Sequence, residues 1–147
     1  QIFKRHQLDI SATHCVAIGR SHSVGRPISI LMSQKGQIGN ATVTLAHSRT
    51  DGLEKLTQKA DIIVSALGIP NFLKGDMVKE GVIIIDVGIT RVIDKNHPKG
   101  YVIKGDVDFK DVSRKSSYIT PVPGGVGPMT IAMLLKNTLL SCERNTN

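Results

Sequence analysis

Aromatic side chains make up only 3% of this 147-residue chain, and Trp is absent. Its core must therefore be assembled from Ile, Val, Leu and Ala, which suits strands covered on both faces of a parallel sheet. Cysteine is equally sparse. Cys15 and Cys142 form no disulfide framework, so the expected compartment is reducing, the cytoplasm. No apolar run approaches a membrane span, and no signal peptide is visible. His14, His47 and His97 are dispersed and no Cys-x-x-Cys occurs, so no metal site is expected. A Gly-x-Ser-x-Gly nucleophile elbow is also missing, which argues against a hydrolase of that type.

What is present is an ordinary globular composition, 40% apolar and 21% charged, of a length that fits one domain. The formal charge is +7, from 19 Lys and Arg against 12 Asp and Glu, which points to an anionic partner. The basic residues are scattered and do not interleave with aromatics. Nucleic acid is therefore the weaker reading, and a basic solvated surface is the plain alternative to an anionic partner.

The chain is organised around Gly19-Arg20-Ser21-His22-Ser23-Val24-Gly25-Arg26-Pro27. The apolar run before it reads as a strand over His14–Ile18, and Pro27 suits the start of a helix that fades near Gln34–Gly36. A strand, a glycine-punctuated turn and a helix form the phosphate-binding opening of a doubly wound domain, where the helix offers N–H groups and its dipole. Further strands are expected over Ala41–Ala46, Asp61–Leu67, Val82–Val87 and Tyr118–Thr120. Between them come a short helix capped by Thr50 or Asp51, a helical stretch over Phe72–Lys79, and a hairpin or loop over Thr90–Lys104. A short strand at Gly105–Val107 and a weak helix near Asp111 follow. Pro121–Gly127 reads as a second special loop, leading into an apolar helix over Pro128–Leu140. Strands and helices alternate throughout, so the fold class is α/β: a Rossmann-like, doubly wound, mostly parallel sheet with helices on both faces.

The opening turn reads Gly-x-Ser-x-x-x-Gly where the common dinucleotide fingerprint is Gly-x-Gly-x-x-Gly. The end of the second strand adds a second signal. An NAD site places a carboxylate there for the ribose hydroxyls, whereas this chain has His47-Ser48-Arg49-Thr50 and no carboxylate before Asp51. Hydroxyl and guanidinium groups, with Arg20, can surround a 2′-phosphate instead, which points to NADP. Arg49 can equally be a solvated residue at a helix start. Ala66–Pro70 and Asp86–Thr90 end the next two strands and should face the ligand. There Ile89 is placed to pack on a nicotinamide ring. Asp86, Asp106 and Asp108 are the carboxylates available for acid–base work, although Asp86 reads better as an acceptor of loop N–H groups. The residues alone thus describe a cofactor site without evident catalytic machinery.

GRSHSVGRP, ATVTLAHSRT, ADIIVSALGIP, IIIDVGITRV, GDVDF and YITPVPGGVGPMT, in that order, resemble the methylenetetrahydrofolate dehydrogenase/cyclohydrolase family from about His14 to Leu140. The resemblance implies that Gly19, Arg20 and Ser21 hold the NADP pyrophosphate and ribose, and that Ser48 meets the 2′-phosphate. Ile89 would contact the nicotinamide end, while Pro123, Gly124, Gly125, Val126 and Gly127 would border the folate. The implied reactions are oxidation of 5,10-methylenetetrahydrofolate to the methenyl form and hydrolysis of that to 10-formyltetrahydrofolate.

The family also has an N-terminal catalytic domain with a Tyr-x-x-x-Lys motif. Here Tyr101 is followed by Lys104, one position short, so the chain itself is expected to carry no catalytic residue. The expected division is a linker over 1–13, the NADP-binding domain over 14–127, and a helix over 128–147 that packs on the other domain. Gln1 at the start fits that division. The tetrahydrofolate substrates, the N-terminal domain and a second subunit of a homodimer are the implied partners. A shikimate-dehydrogenase-like NADP oxidoreductase and a non-catalytic NADP-binding module are the alternatives, and the Thr120–Thr130 motif speaks against the first.

Overall fold

In the computed structural model, residues 1–145 are described, and they build a five-stranded parallel sheet with a small antiparallel hairpin beside it. The elements in order are α1 (Ile2–Arg5), β1 (His14–Ile18), α2 (Gly25–Ser33), β2 (Thr42–Ala46), α3 (Leu53–Thr57) and β3 (Ile62–Ser65). A 3-10 turn (Gly75–Met77), β4 (Ile83–Asp86), β5 (Thr90–Ile93), β6 (Tyr101–Lys104), α4 (Phe109–Val112), β7 (Tyr118–Ile119) and α5 (Val126–Asn145) complete the chain. The sheet order is β2-β1-β3-β4-β7, and all four pairings are parallel.

Alternation along the strands separates two cores. Val16, Ile18, Ile63 and Ile84 join Leu53, Leu73, Met77 and Val112 on one face. Cys15, Ile62, Val64 and Ile85 pack with Phe3, Ile10 and Met32 on the other. Central strands buried on both sides therefore read as unbroken apolar runs, as expected for a doubly wound sheet. Residues 1–13 contribute α1 and bury Phe3 and Ile10 in the second core.

Several local expectations change. The helix after the first turn starts at Gly25, two residues before Pro27, which falls inside its first turn. α3 begins after Gly52, and neither Thr50 nor Asp51 caps it. Thr50 instead accepts the His47 N–H at 2.9 Å through its hydroxyl. The stretch Phe72–Lys79 holds only the 3-10 turn, because Leu73 forms a bridge to Val107 and Asp111 takes the Gly75 N–H at 2.7 Å. That bridge replaces the short strand expected at Gly105–Val107. The hairpin expected over Thr90–Lys104 is formed, with Thr90 opposite Lys104. α5 starts at Val126, so Val126 and Gly127 belong to its first turn and not to the preceding loop.

No side chain of α5 is buried, and Ile131, Leu134, Leu135 and Leu139 are all exposed. Among the described residues, no helix is long and apolar enough to cross a membrane.

Candidate functional site

Sheet order places the site. β1 runs between β2 and β3, so the connections from β1 and β3 leave on opposite faces and open a crevice at the carboxyl ends of these strands. Ligands of doubly wound sheets bind at such a switch point.

Gly19 leaves β1 with φ +122°, a conformation that favours glycine. Its N–H donates to the Ala46 carbonyl at 2.9 Å, tying the turn to the end of β2. A Cβ on Gly25 would lie 1.8 Å from the Gly19 carbonyl oxygen, so the start of α2 presses directly on the turn. These two glycines make a cradle in which backbone can approach a bound pyrophosphate closely, and the residues present fit a dinucleotide.

Ser21 closes the turn. Its hydroxyl accepts the N–H groups of Val24 at 3.1 Å and Gly25 at 3.4 Å, and its carbonyl accepts that of Arg26 at 3.1 Å. Pro27 has no N–H. The first turn of α2 therefore has few free donors, contrary to the simple picture of a helix end offering them. Among the described residues, the N–H groups of Arg20 through Ser23 make no hydrogen bond, so the donors open to an anion lie in the turn itself.

The end of β2 runs beside this turn, since Ile18 stands opposite Ala46. His47–Thr50 forms a tight loop: Thr50 N–H donates to the His47 carbonyl at 2.9 Å, and Arg49 N–H to His47 Nδ1 at 3.2 Å. The exposed side chains of Arg20, Ser48 and Arg49 make no hydrogen bond or ion pair among the described residues. Ser48 and Arg49 thus stand at the strand end where an NAD site would place a carboxylate, and Arg20 follows the neighbouring strand.

Further along, a cavity of about 350 Å³ is lined by Val87, Ile89, Pro123, Gly124, Val126 and Gly127, among others. Ile89 is 64% exposed and borders it from the β4 side. The expected nicotinamide contact and most of the expected folate border therefore meet in one place. Gly125 turns away to line a neighbouring hollow, and a Cβ there would lie 2.4 Å from the Pro121 carbonyl oxygen. Gly19, Arg20, Ser21 and Ser48 lie outside the cavity, at the ends of β1 and β2.

The three candidate carboxylates are all committed to structure. Asp108 caps α4, accepting the Asp111 N–H. Asp86 Oδ1 accepts the N–H groups of Gly88 at 2.9 Å and Asp106 at 3.1 Å, and Oδ2 that of Val107 at 3.0 Å. Burial pushes the Asp86 carboxyl above the ordinary carboxylate range. The three N–H donors pull it back, and the neighbouring Asp106 charge adds to the rise. Asp106 is fully buried and accepts from Ser65 Oγ and from the N–H groups of Leu67, Gly68 and Ile69. The sequence contained no local sign of this arrangement, because its partners lie 37 to 41 positions away.

The chain matches a family model described as tetrahydrofolate dehydrogenase/cyclohydrolase, NAD(P)-binding domain, over residues 1–146. It is 67% identical over 141 residues to the bifunctional protein FolD of Flavobacterium johnsoniae, covering 96% of this chain and 48% of that protein. The FolD of Bacteroides fragilis is 55% identical over 144 residues, covering 98% and 49%. Among solved structures, the bifunctional FolD methylenetetrahydrofolate dehydrogenase/cyclohydrolase of Campylobacter jejuni aligns with a TM-score of 0.87 at 49% identity. That alignment covers 98% of this chain and 48% of the other. The Trypanosoma brucei dehydrogenase-cyclohydrolase, complexed with NADP cofactor and inhibitor, aligns with a TM-score of 0.91 at 38% identity, covering 99% and 48%. The chain spans about half the length of the curated relatives it matches.

Proposed function

The chain belongs to the tetrahydrofolate dehydrogenase/cyclohydrolase family through its NAD(P)-binding domain, and we propose that it is the NADP-binding half of an enzyme of one-carbon folate metabolism. In this reading the whole protein oxidises 5,10-methylenetetrahydrofolate to the 5,10-methenyl form and hydrolyses that to 10-formyltetrahydrofolate. The observation that carries the cofactor assignment is the end of β2. It presents Ser48 and Arg49 at the end of the strand paired with the one that Arg20 follows, and lacks a carboxylate before Asp51.

The chain's own residues would bind and orient. Gly19, Arg20 and Ser21 would hold the pyrophosphate and ribose, with the unbonded N–H groups of Arg20 and Ser21 facing the anion. Ser48, with Arg20 and Arg49, would meet the 2′-phosphate, where guanidinium matches phosphate in charge and geometry. Ile89 would pack on the nicotinamide and exclude water from that end. Bound NADP supplies the hydride acceptor. Pro123, Gly124, Gly125, Val126 and Gly127 would border the folate at the mouth of the cavity, with Gly125 acting from the neighbouring hollow.

The proton-transfer groups would come from an N-terminal domain reached through residues 1–13, and α5 would pack on that domain. Two observations support this. The candidate carboxylates Asp86, Asp106 and Asp108 are occupied by N–H donors, and α5 exposes Ile131, Leu134, Leu135 and Leu139. A homodimer in a reducing cytoplasm completes the reading, in keeping with a Cys15 thiol buried away from any disulfide partner.

The test is NADPH formation from methylenetetrahydrofolate, measured with the chain alone and with the N-terminal half of a close relative added. Turnover only in the mixture is expected. Turnover by the chain alone would contradict the assignment of the chemistry to the other half.

A further inference from the structure

We infer that Asp106 is a positioning residue for the nicotinamide end of the dinucleotide site, acting through the loop Leu67–Ile69. The inference rests on the dinucleotide reading above. It starts from a wholly buried carboxylate whose two oxygens are shared among three successive backbone N–H groups. Oδ2 accepts from Leu67 at 2.6 Å and Gly68 at 3.2 Å, and Oδ1 from Ile69 at 3.0 Å. Ser65 Oγ, at the end of β3, donates to Oδ2 at 3.2 Å and holds the carboxylate from below.

The same carboxylate sets the next loop. A Cβ on Gly88 would lie 2.2 Å from Asp106 Oδ1, so residue 88 rests against the carboxylate and Ile89 follows directly from that contact. Thr90 then donates its hydroxyl to the Gly68 carbonyl at 3.3 Å, joining the two loops. Asp86 fixes Asp106 in turn, accepting the N–H groups of Asp106 and Val107. One buried carboxylate therefore determines both strand-end loops over which the nicotinamide half must pass. The adenosine end, at Gly19–Ser21 and Ser48, makes no hydrogen bond with it.

Asp106→Asn tests this directly. An amide in place of the carboxylate turns one acceptor into a donor facing backbone N–H groups, and a buried donor left without a partner is costly. Calorimetric titration of the 147-residue chain with NADP and with adenosine 2′,5′-bisphosphate separates the two ends. Asp106→Asn should weaken NADP binding about tenfold and leave the bisphosphate within about twofold of wild type. Equal weakening of both ligands, the mark of a general loss of structure, would overturn the inference, as would no change in either. Ser65→Ala keeps the carboxylate and removes one donor, so it serves if Asp106→Asn does not fold. It should cost NADP alone about two- to threefold, and an unchanged NADP affinity would overturn the inference. A wild-type chain that binds neither ligand overturns the dinucleotide reading itself, and the role of Asp106 falls with it.

Discussion

Gly19 lies so close to Ala66 that a Cβ on it would stand 2.3 Å from the Ala66 carbonyl oxygen. The turn after β1 and the end of β3 thus touch backbone to backbone at the switch point of the sheet. Gly19→Ala must both move that carbonyl and hold an L residue at φ +122°. A loss of about 2–3 kcal/mol in urea unfolding is expected, together with weaker NADP binding in calorimetry.

In the proposed reading the end of β2 sets cofactor choice. Ser48→Asp places a carboxylate where the 2′-phosphate is expected, and like charges repel. NADP affinity should fall by at least about tenfold, while NAD affinity stays level or improves. Isothermal titration with both cofactors reads the change.

Cys15 reports on core integrity. Burial pushes its thiol up to about 12, and its Sγ lies 3.5 Å from Met32 Sδ. In a Cys142→Ser background the remaining thiol should not react with iodoacetamide at pH 8 until the chain unfolds, because the thiolate is the reactive form. Mass spectrometry across a denaturant series checks this.

The Asp61–Lys79 pair gives a pH dependence of defined sign. The Lys79 hydrogen bond, followed by the His14 N–H, holds the Asp61 carboxyl below its ordinary range. A depressed carboxylate stabilises above its unfolded pKa, about 3.9, and the gain is lost as pH falls through the folded value. Both side chains are more than a third exposed, so Lys79→Met should cost under about 1 kcal/mol at pH 7. At a pH where Asp61 is protonated it should cost nothing. Thermal melts at the two pH values measure the difference.

β1, β3 and β4 were legible in the sequence because each is a largely buried apolar run whose burial needs no knowledge of its partners, and β2, which is mostly not buried, through its β-branched Thr and Val. Helix starts were less so. Ser21 reaches forward to accept the N–H groups of Val24 and Gly25 where α2 begins, two residues ahead of Pro27. The helix expected over Phe72–Lys79 was drawn apart by partners at Val107 and Asp111, which local propensity cannot register. The site follows the same division. Gly19, Ser21 and Ser48 sit on turns whose chemistry is local and readable. Asp106 looks like an ordinary loop acid until folding brings Ser65 and Leu67–Ile69 against it.

We propose that this crevice selects NADP through Arg20, Ser48 and Arg49. Calorimetric titration of the wild-type chain with NADP and NAD under one salt condition measures it most directly. NADP should bind at least about tenfold tighter than NAD. Equal affinities for the two would contradict it.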